Sequence, residues 1–277
     1  MISGKTKLIA HIGYPTVTFK APLILNPWFE SHGIDAVVIP MGVKAEDFVP
    51  ALASIRKFTN LHGVIVTMPH KVTTVSLLDE VNTAVKIAGS SNAVLKLPDG
   101  RLLGDNFDGA GFVRGVLRKG LQLAGASCLI VGTGGVGSAI AASVAAESPA
   151  SMTLFDVNTA SAEALASRLR QHYPKIEVRV GSNDPAGYNL VVNASPLGMK
   201  ADDPLPFDVA RLTSDIFVAE VVLQTEMTPL LKAAHARGCR YTVGTDMLFE
   251  MLPAYIEFFG FGSATPDQLR AVAKISK

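Results

Sequence analysis

The stretch Leu129-Ile130-Val131-Gly132-Thr133-Gly134-Gly135-Val136-Gly137 leaves few folds open. Its apolar residues have the length and flanks of a short buried strand, and they run straight into a glycine turn. A segment of small residues, Ser138-Ala139-Ile140-Ala141-Ala142-Ser143-Val144-Ala145, follows at once as a helix. Gly132, Gly134 and Gly137 have the G-x-G-x-x-G spacing. The first glycine makes the tight turn, the second lets the backbone approach a pyrophosphate, and the third lets helix and strand pack closely. The N–H groups at the helix start, around Thr133, Gly135 and Val136, then face phosphate. Glycine also serves ordinary turns, so the flanking strand and helix carry the inference. A second apolar strand, Met152-Thr153-Leu154-Phe155, ends at Asp156. That is near the spacing of ~20 residues at which this fold places an acid for a ribose diol.

The remaining composition narrows the function classes. A chain of 277 residues with 48% hydrophobic and 18% charged residues has ample core for one large domain or two. A net charge of +1 gives no electrostatic footprint for nucleic acid or an anionic membrane. Cys128 and Cys239 have no metal-ligand spacing and are expected to be buried, reduced thiols, so no metal is expected. Leu8-Ile9-Ala10 is too short for a signal peptide, and no stretch approaches the ~20 apolar residues of a membrane helix. The expectation is a cytoplasmic protein, monomer or homodimer, acting on a small molecule.

The first hundred residues alternate strands and helices. Strands are expected at 7–13, 36–40 and 63–68, a helix from Pro22 to about His32, and helical stretches at 70–88. Residues 45–59 carry Phe48, Leu52, Ile55 and Phe58 on one helical face. Residues 93–97 and 101–104 read as two strands joined at Pro98-Asp99-Gly100. This alternation implies a largely parallel sheet with both faces covered. Beyond it, helices are expected at 108–124, 160–172 and 228–237. Strands are expected at 177–180, 190–193, 216–221 and 241–244. Met247, Met251, Tyr255, Phe258 and Phe259 form a helical core stripe.

Polar residues cluster where strands end, which is where chemistry gathers in such sheets. They are Thr67-Met68-Pro69-His70-Lys71, Ser90-Ser91-Asn92 and Asp105-Asn106-Phe107-Asp108-Gly109. Each has a plain alternative: Lys71 as a solvated first-turn lysine, Asp108 as a helix N-cap, Asn92 as a turn cap.

Taken in series, these pieces resemble the shikimate dehydrogenase family. The matching stretches are Gly13-Tyr14-Pro15, Val66-Thr67-Met68-Pro69-His70-Lys71, Ala88-Gly89-Ser90-Ser91-Asn92 and Gly104-Asp105-Asn106-Phe107-Asp108-Gly109. They continue with the glycine turn, Asn193-Ala194-Ser195-Pro196-Leu197-Gly198-Met199, Thr228-Pro229-Leu230-Leu231, and Gly244 followed by Met247-Leu248. The resemblance implies an α/β chain of two domains. An N-terminal α/β substrate domain would take residues 1–107, with 246–277 returning to it. A Rossmann domain, a doubly wound parallel sheet, would take 108–245. It also implies Lys71 and Asp108 as the catalytic pair, Thr67 and Asn92 as ligands of ring hydroxyls, and Asn193, Ser195 and Pro196 as a wrap for the cofactor. Val222 and Gly244 would line the nicotinamide side. The implied activity interconverts shikimate, or a close cyclic polyol acid, with its 3-dehydro ketone. Quinate, aminoshikimate or a non-carboxylic polyol are variants, and a non-catalytic dinucleotide sensor is the rival from another class. A lysine serving as base needs burial or nearby positive charge, whereas a neighbouring carboxylate favours its charged form. Which of the pair moves the proton stays open.

Three departures from the family pattern stand out. The usual Ser-x-Ser-Pro loop reads Phe19-Lys20-Ala21-Pro22, the tyrosine of Asp-x-x-Tyr is Leu223, and the glutamine after Met-Leu is Met251. Polar contacts have become apolar, which implies altered substrate recognition at a retained reaction. Thr18 or Lys20, which share one side of an extended loop, are expected to replace the serines, with a solvated Lys20 as the alternative. Where many members carry Asn-Arg-Thr, this chain has Asp156-Val157-Asn158-Thr159. A carboxylate accepts from both ribose hydroxyls and repels a 2′-phosphate, so NAD is expected over NADP.

Overall fold

The computed structural model describes residues 2–200 and 202–275. It divides into two compact units. The first takes Met1–Lys86, Ser90–Phe107 and Met251–Lys277, and the second takes Ile87–Gly89 and Asp108–Glu250.

The first unit is built on β1 (Lys7–Gly13), α1 (Pro22–Ser31), β2 (Ala36–Gly42), α2 (Phe48–Ile55) and β3 (Leu61–Val66). It continues through α3 (Lys71–Val75), β4 (Glu80–Val81), α4 (Thr83–Ala88), β5 (Ala93–Lys96) and β6 (Leu102–Asp105). The sheet order is β2-β1-β3-β5-β6-β4. β1 runs parallel to β2 and β3, while the hairpin strand β5 is antiparallel to β3 and β6. Alternation along β1 sets its two faces. Leu8, Ala10 and Ile12 enter a core with Phe48, Leu52, Val64, Val66, Val94 and Leu102, so Ile9 and His11 face the other way.

Two local expectations change. Phe58 is half exposed (50%) because α2 stops at Ile55, one turn before it. Residues 70–88 form two short helices with β4 between them. Asp79 N–H donates to the Leu102 carbonyl (3.0 Å), and Glu80–Val81 pairs with Leu103–Gly104. Open hydrogen-bonding groups at the sheet edge override the local helical period there.

The second unit contains α5 (Asp108–Arg118), β7 (Ser127–Val131), α6 (Gly135–Ala146), β8 (Ser151–Phe155), α7 (Thr159–His172), β9 (Glu177–Val180) and β10 (Leu190–Asn193). It continues through β11 (Phe217–Glu220), α8 (Pro229–Ala236) and β12 (Arg240–Thr242). Its sheet is parallel throughout, in the order β12-β11-β10-β7-β8-β9. Read from the other edge, this is the doubly wound dinucleotide-binding order. The fully buried runs of β7, β10 and β11 are the signature of strands covered on both faces. α5 ends at Arg118 instead of continuing to 124. Gly120 takes a left-handed conformation (φ +80°), and Leu121 N–H bonds back to the Val116 carbonyl (3.1 Å).

α9 (Gly244–Phe258) carries the apolar stripe. Its Met251–Phe258 portion belongs to the first unit, where Tyr255 and Phe258 meet Phe107 edge-on at 5.1 and 5.5 Å. α10 (Pro266–Val272) was not expected from periodicity. A Thr265–Gln268 capping box with Pro266 behind the cap starts it. Cys128 and Cys239 are free and buried. Among the described residues, no helix is long and apolar enough to cross a membrane.

Tyr255 is 1% exposed, and its hydroxyl donates to the Asn92 carbonyl at 3.2 Å. Tyr255→Phe is expected to lower unfolding free energy by about 1 kcal/mol, because Val66 N–H still satisfies that carbonyl. Tyr255→Ala should cost about 3–5 kcal/mol. Denaturant titration of both variants checks the difference.

Candidate active site

Ligands of open α/β sheets gather beyond the carboxyl ends of strands, where successive connections leave in opposite directions. In the first unit that point lies between β1 and β3, since β1 connects through α1 to β2 on its other side. Thr67 N–H donates to the Ile12 carbonyl (2.9 Å), and Tyr14 N–H donates to Met68 (2.9 Å), so the two strand ends are tied together. β5 runs the other way, which brings its start to the same end of the sheet: Val66 N–H donates to the Asn92 carbonyl at 2.8 Å. Thr67, Lys71 and Asn92 are thereby gathered at one end of one sheet.

Their local settings differ. Lys71 opens α3 and is 8% exposed, so it is not a solvated first-turn lysine. Its carbonyl accepts from Ser91 N–H (2.9 Å). Asn92 is fully buried, and its Oδ1 accepts from Phe107 N–H (3.0 Å). Its Nδ2 has no hydrogen-bond partner among the described residues. Leaving a buried donor unpaired costs about 1–3 kcal/mol, so each such atom calls for an explanation. Asn106 Nδ2 donates to both the carbonyl and the hydroxyl of Ser90 (3.0 and 2.9 Å). The chain is therefore fixed at residues 106 and 107, one peptide bond before Asp108. Asp108 is 1% exposed and is the first residue of α5 itself. His70 Nε2 is engaged with the Val43 carbonyl (2.8 Å), and its ring stacks on Phe48 at 4.0 Å. That is a packing role.

The loop after β1 departs most from expectation. A Cβ at Gly13 would collide with Thr67 Cγ2 and lie 3.1 Å from Phe19 Cζ. The Phe19 ring stacks on His11 with centroids 4.1 Å apart and planes at 24°. His11 is 5% exposed, and its Nδ1 has no partner among the described residues. Burial, with a smaller push from the charge of Lys71, drives the His11 imidazole down to about 3, so it is neutral at physiological pH. His11 and Phe19 were not singled out from sequence. The available signal was a histidine on the inner alternation of an otherwise apolar strand, Leu8-Ile9-Ala10-His11-Ile12. Thr18 Oγ1 donates to the Pro15 carbonyl (3.1 Å), within its own turn. Lys20 is half-buried just before α1, and Met251 is half-buried on α9.

In the second unit the switch point lies between β7 and β10. Gly132 has φ +98°, and a Cβ there would stand 2.7 Å from Ser195 N, so the two loops meet at this crevice. A Cβ at Gly137 would strike the Gly132 carbonyl oxygen, while Gly134 is exposed with nothing within 4 Å. Gly134 caps α6, and Gly135, Val136 and Gly137 form its first turn. This is a backbone cradle, open at Gly134 and set at the N-terminus of α6, that fits a pyrophosphate. Beyond β10, Asn193 Oδ1 accepts from the Ser195 hydroxyl (2.6 Å) and from Ser195 N–H (3.2 Å). Asn193 Nδ2 donates to the Leu197 carbonyl (2.9 Å) and to Glu220 (2.7 Å). Thr228 also donates to Glu220. Burial raises the Glu220 carboxyl above its usual range, and the Thr228 and Asn193 hydrogen bonds oppose that shift. Pro196 is exposed and Val222 buried, and a Cβ at Gly244 would strike the Val222 carbonyl.

Asp156 is occupied within the chain. Its Oδ2 accepts from Thr133 N–H (2.6 Å) and Thr133 Oγ1 (3.0 Å), and its Oδ1 accepts from Asn158 N–H (2.9 Å). Asn158 in turn caps α7 by accepting from Ser161 N–H (3.2 Å).

Comparison with known proteins places this geometry in a family. Residues 12–94 match the shikimate dehydrogenase substrate binding domain. A shikimate dehydrogenase (NADP(+)) of Acidiphilium cryptum is 34% identical over 275 residues, covering 99% of this chain and 98% of that protein. That of Rhodospirillum rubrum is 32% identical over 279 residues, covering 98% of each. The shikimate 5-dehydrogenase of Listeria monocytogenes, solved with shikimate and NAD, superposes with a TM-score of 0.86 at 25% identity. It covers 98% of this chain and 97% of that one. The curated relatives are named as NADP(+) enzymes, which overturns the NAD preference expected from Asp156. The physical reason is local: the inference needed a carboxylate free to accept from both ribose hydroxyls, and three of this one's roughly four acceptor positions are already taken by Thr133 and Asn158. The chain belongs to the shikimate dehydrogenase family of oxidoreductases.

Proposed function

We propose that this chain is an NADP-linked dehydrogenase that interconverts a ring hydroxyl of shikimate, or of a close cyclic polyol, with the corresponding 3-dehydro ketone. The observation that carries the reading is the gathering of Thr67, a buried Lys71 and an Asn92 whose Nδ2 has no partner among the described residues at the switch point of the first sheet. Names of relatives that match along nearly the whole chain support the same activity.

Oxidising a secondary alcohol removes a hydride from carbon and a proton from oxygen. The nicotinamide, when bound, supplies the hydride chemistry. The second unit would hold it by the turn of Gly132, Thr133, Gly134, Gly135, Val136 and Gly137, with Asn193, Ser195, Pro196, Val222 and Gly244 completing the site and Asp156 and Asn158 bracing the turn. Lys71 and Asp108 would fix the reacting hydroxyl and take its proton. Thr67 and the free Nδ2 of Asn92 would hold neighbouring hydroxyls and so orient the ring. Thr18, Lys20 and Met251 would border the far end of the substrate.

Lys71→Met and Asp108→Asn are each expected to lower kcat by about 10²–10⁴-fold, with NADPH binding by fluorescence titration little altered. Either variant turning over at the wild-type rate would remove the pair from the mechanism. Steady-state kinetics with both cofactors should give NADP the higher kcat/KM, and parity with NAD would refute the cofactor assignment.

A further inference from the structure

Three buried side-chain atoms have no hydrogen-bond partner among the described residues: Trp28 Nε1, His11 Nδ1 and Asn92 Nδ2. The last two share one end of the first sheet. His11 pairs across β1 and β3 with Ile65, and Ile65 pairs with Ala93, the neighbour of Asn92. The two orphaned atoms therefore stand two strands apart, on either side of the β3 end that carries Thr67. His11 and Thr67 share the side of this end on which a Cβ at Gly13 would meet both Thr67 and Phe19. Phe19 packs on the face of the imidazole and approaches Gly13 and Thr67, so the ring is held in place without its nitrogen being used.

This setting selects among polar groups. A carboxylate laid against it would leave water for a phenyl ring and one imidazole nitrogen. Burying that charge with so few donors is unfavourable. A hydroxyl or carbonyl oxygen escapes the penalty, and the imidazole serves either one. Its Nδ1 accepts from an O–H in one tautomer and donates to a C=O in the other. Because burial keeps the ring uncharged, it adds no electrostatic attraction for an anion. The Thr18 hydroxyl is already used by Pro15. Lys20 is the remaining cation of that loop, and it makes the alternative testable.

Resting on the dehydrogenase reading above, we infer that His11 is a specificity-determining residue. Its imidazole takes a hydroxyl or carbonyl of the substrate beside Phe19, and the preferred substrate is a polyhydroxylated ring with no carboxylate at that end.

The test is calorimetric titration of wild type, His11→Leu, His11→Gln and Lys20→Ala with shikimate and with a neutral cyclohexane polyol such as inositol. Turnover with NADP and NADPH is followed alongside. Wild type should bind the neutral polyol more tightly than shikimate. His11→Leu should weaken that binding and raise its KM by about ten- to a hundredfold with kcat little changed. His11→Gln should recover part of the loss, and Lys20→Ala should weaken shikimate binding no more than polyol binding. Circular dichroism of each variant separates these effects from misfolding, and His11→Gln keeps the question open to measurement if His11→Leu does not fold. Tighter binding of shikimate than of the polyol by wild type, or polyol affinity indifferent to both His11 changes, overturns the inference. In either case shikimate turnover would leave the dehydrogenase reading standing. Conversely, His11-dependent polyol binding with no oxidation or reduction of any ring would sink the dehydrogenase reading and keep the role of His11.

Discussion

The first unit depends on how Asn92 distributes its hydrogen bonds. Its carbonyl accepts from Val66 N–H at the end of β3 and from the Tyr255 hydroxyl on α9. Its N–H donates to Asp105 at the end of β6 (3.1 Å), and its Oδ1 fixes Phe107 N–H. A single buried residue thus ties two strands, a helix and the chain leading to Asp108. Each bond would be individually modest in water, but inside the core they define one arrangement, because any slip leaves several buried groups unpaired at once. Only Nδ2 is left over. The same residue therefore sets the frame and presents an unsatisfied donor.

The second unit solves a parallel problem with a carboxylate. Glu220 ends β11 fully inside the protein, where its charge is disfavoured, and Asn193 and Thr228 compensate by donating to it. Asn193 uses its other end to hold Ser195, and Thr228 also caps α8 by accepting from Leu231 N–H (3.2 Å). Loop, strand end and helix start are locked to one another. Removing Glu220 would strand two donors, so its role is to position the Asn193–Met199 turn. Asp156 does comparable work on the other side of the glycine turn. Both acids serve the protein's own loops: Glu220 through two side-chain donors, Asp156 through two backbone N–H groups and a hydroxyl.

These networks explain what could and could not be read from the chain. The strand–turn–helix at 129–145 was legible because each constraint is local: apolar run, glycine spacing, small-residue helix. The buried strands at 7–13, 63–66 and 190–193 were legible for the same reason. β4 and α10 were not, since a two-residue edge strand answers to a neighbour and a seven-residue helix offers little period to detect. Thr67, Lys71 and Asn92 could be marked as strand-end residues, but their meeting at one sheet end needed the antiparallel turn of β5. The error over Asp156 has a different source. Spacing locates a carboxylate at the right strand end, yet says nothing about whether its lone pairs are already taken. Thr133, one residue past the first glycine, has the hydroxyl and N–H that occupy Oδ2, and Asn158 N–H takes a position on Oδ1.

The loss of two serines and the presence of His11 are best understood together. Phe19 in place of a serine removes a hydrogen-bonding group and adds a ring large enough to cover its neighbour on β1. A histidine under that ring is desolvated, which keeps it neutral, and its Nδ1 has no partner among the described residues. Had the site merely decayed, the cheapest residue at position 11 would be apolar, because a buried unpaired nitrogen costs stability that an aliphatic side chain would not. Retaining it argues for a ligand that supplies the missing partner. This strand end presents an aromatic stack with one polar edge, on the sheet end that also carries Thr67, Lys71 and Asn92. On the inference drawn from His11, substrate recognition is set by one loop and one position on β1.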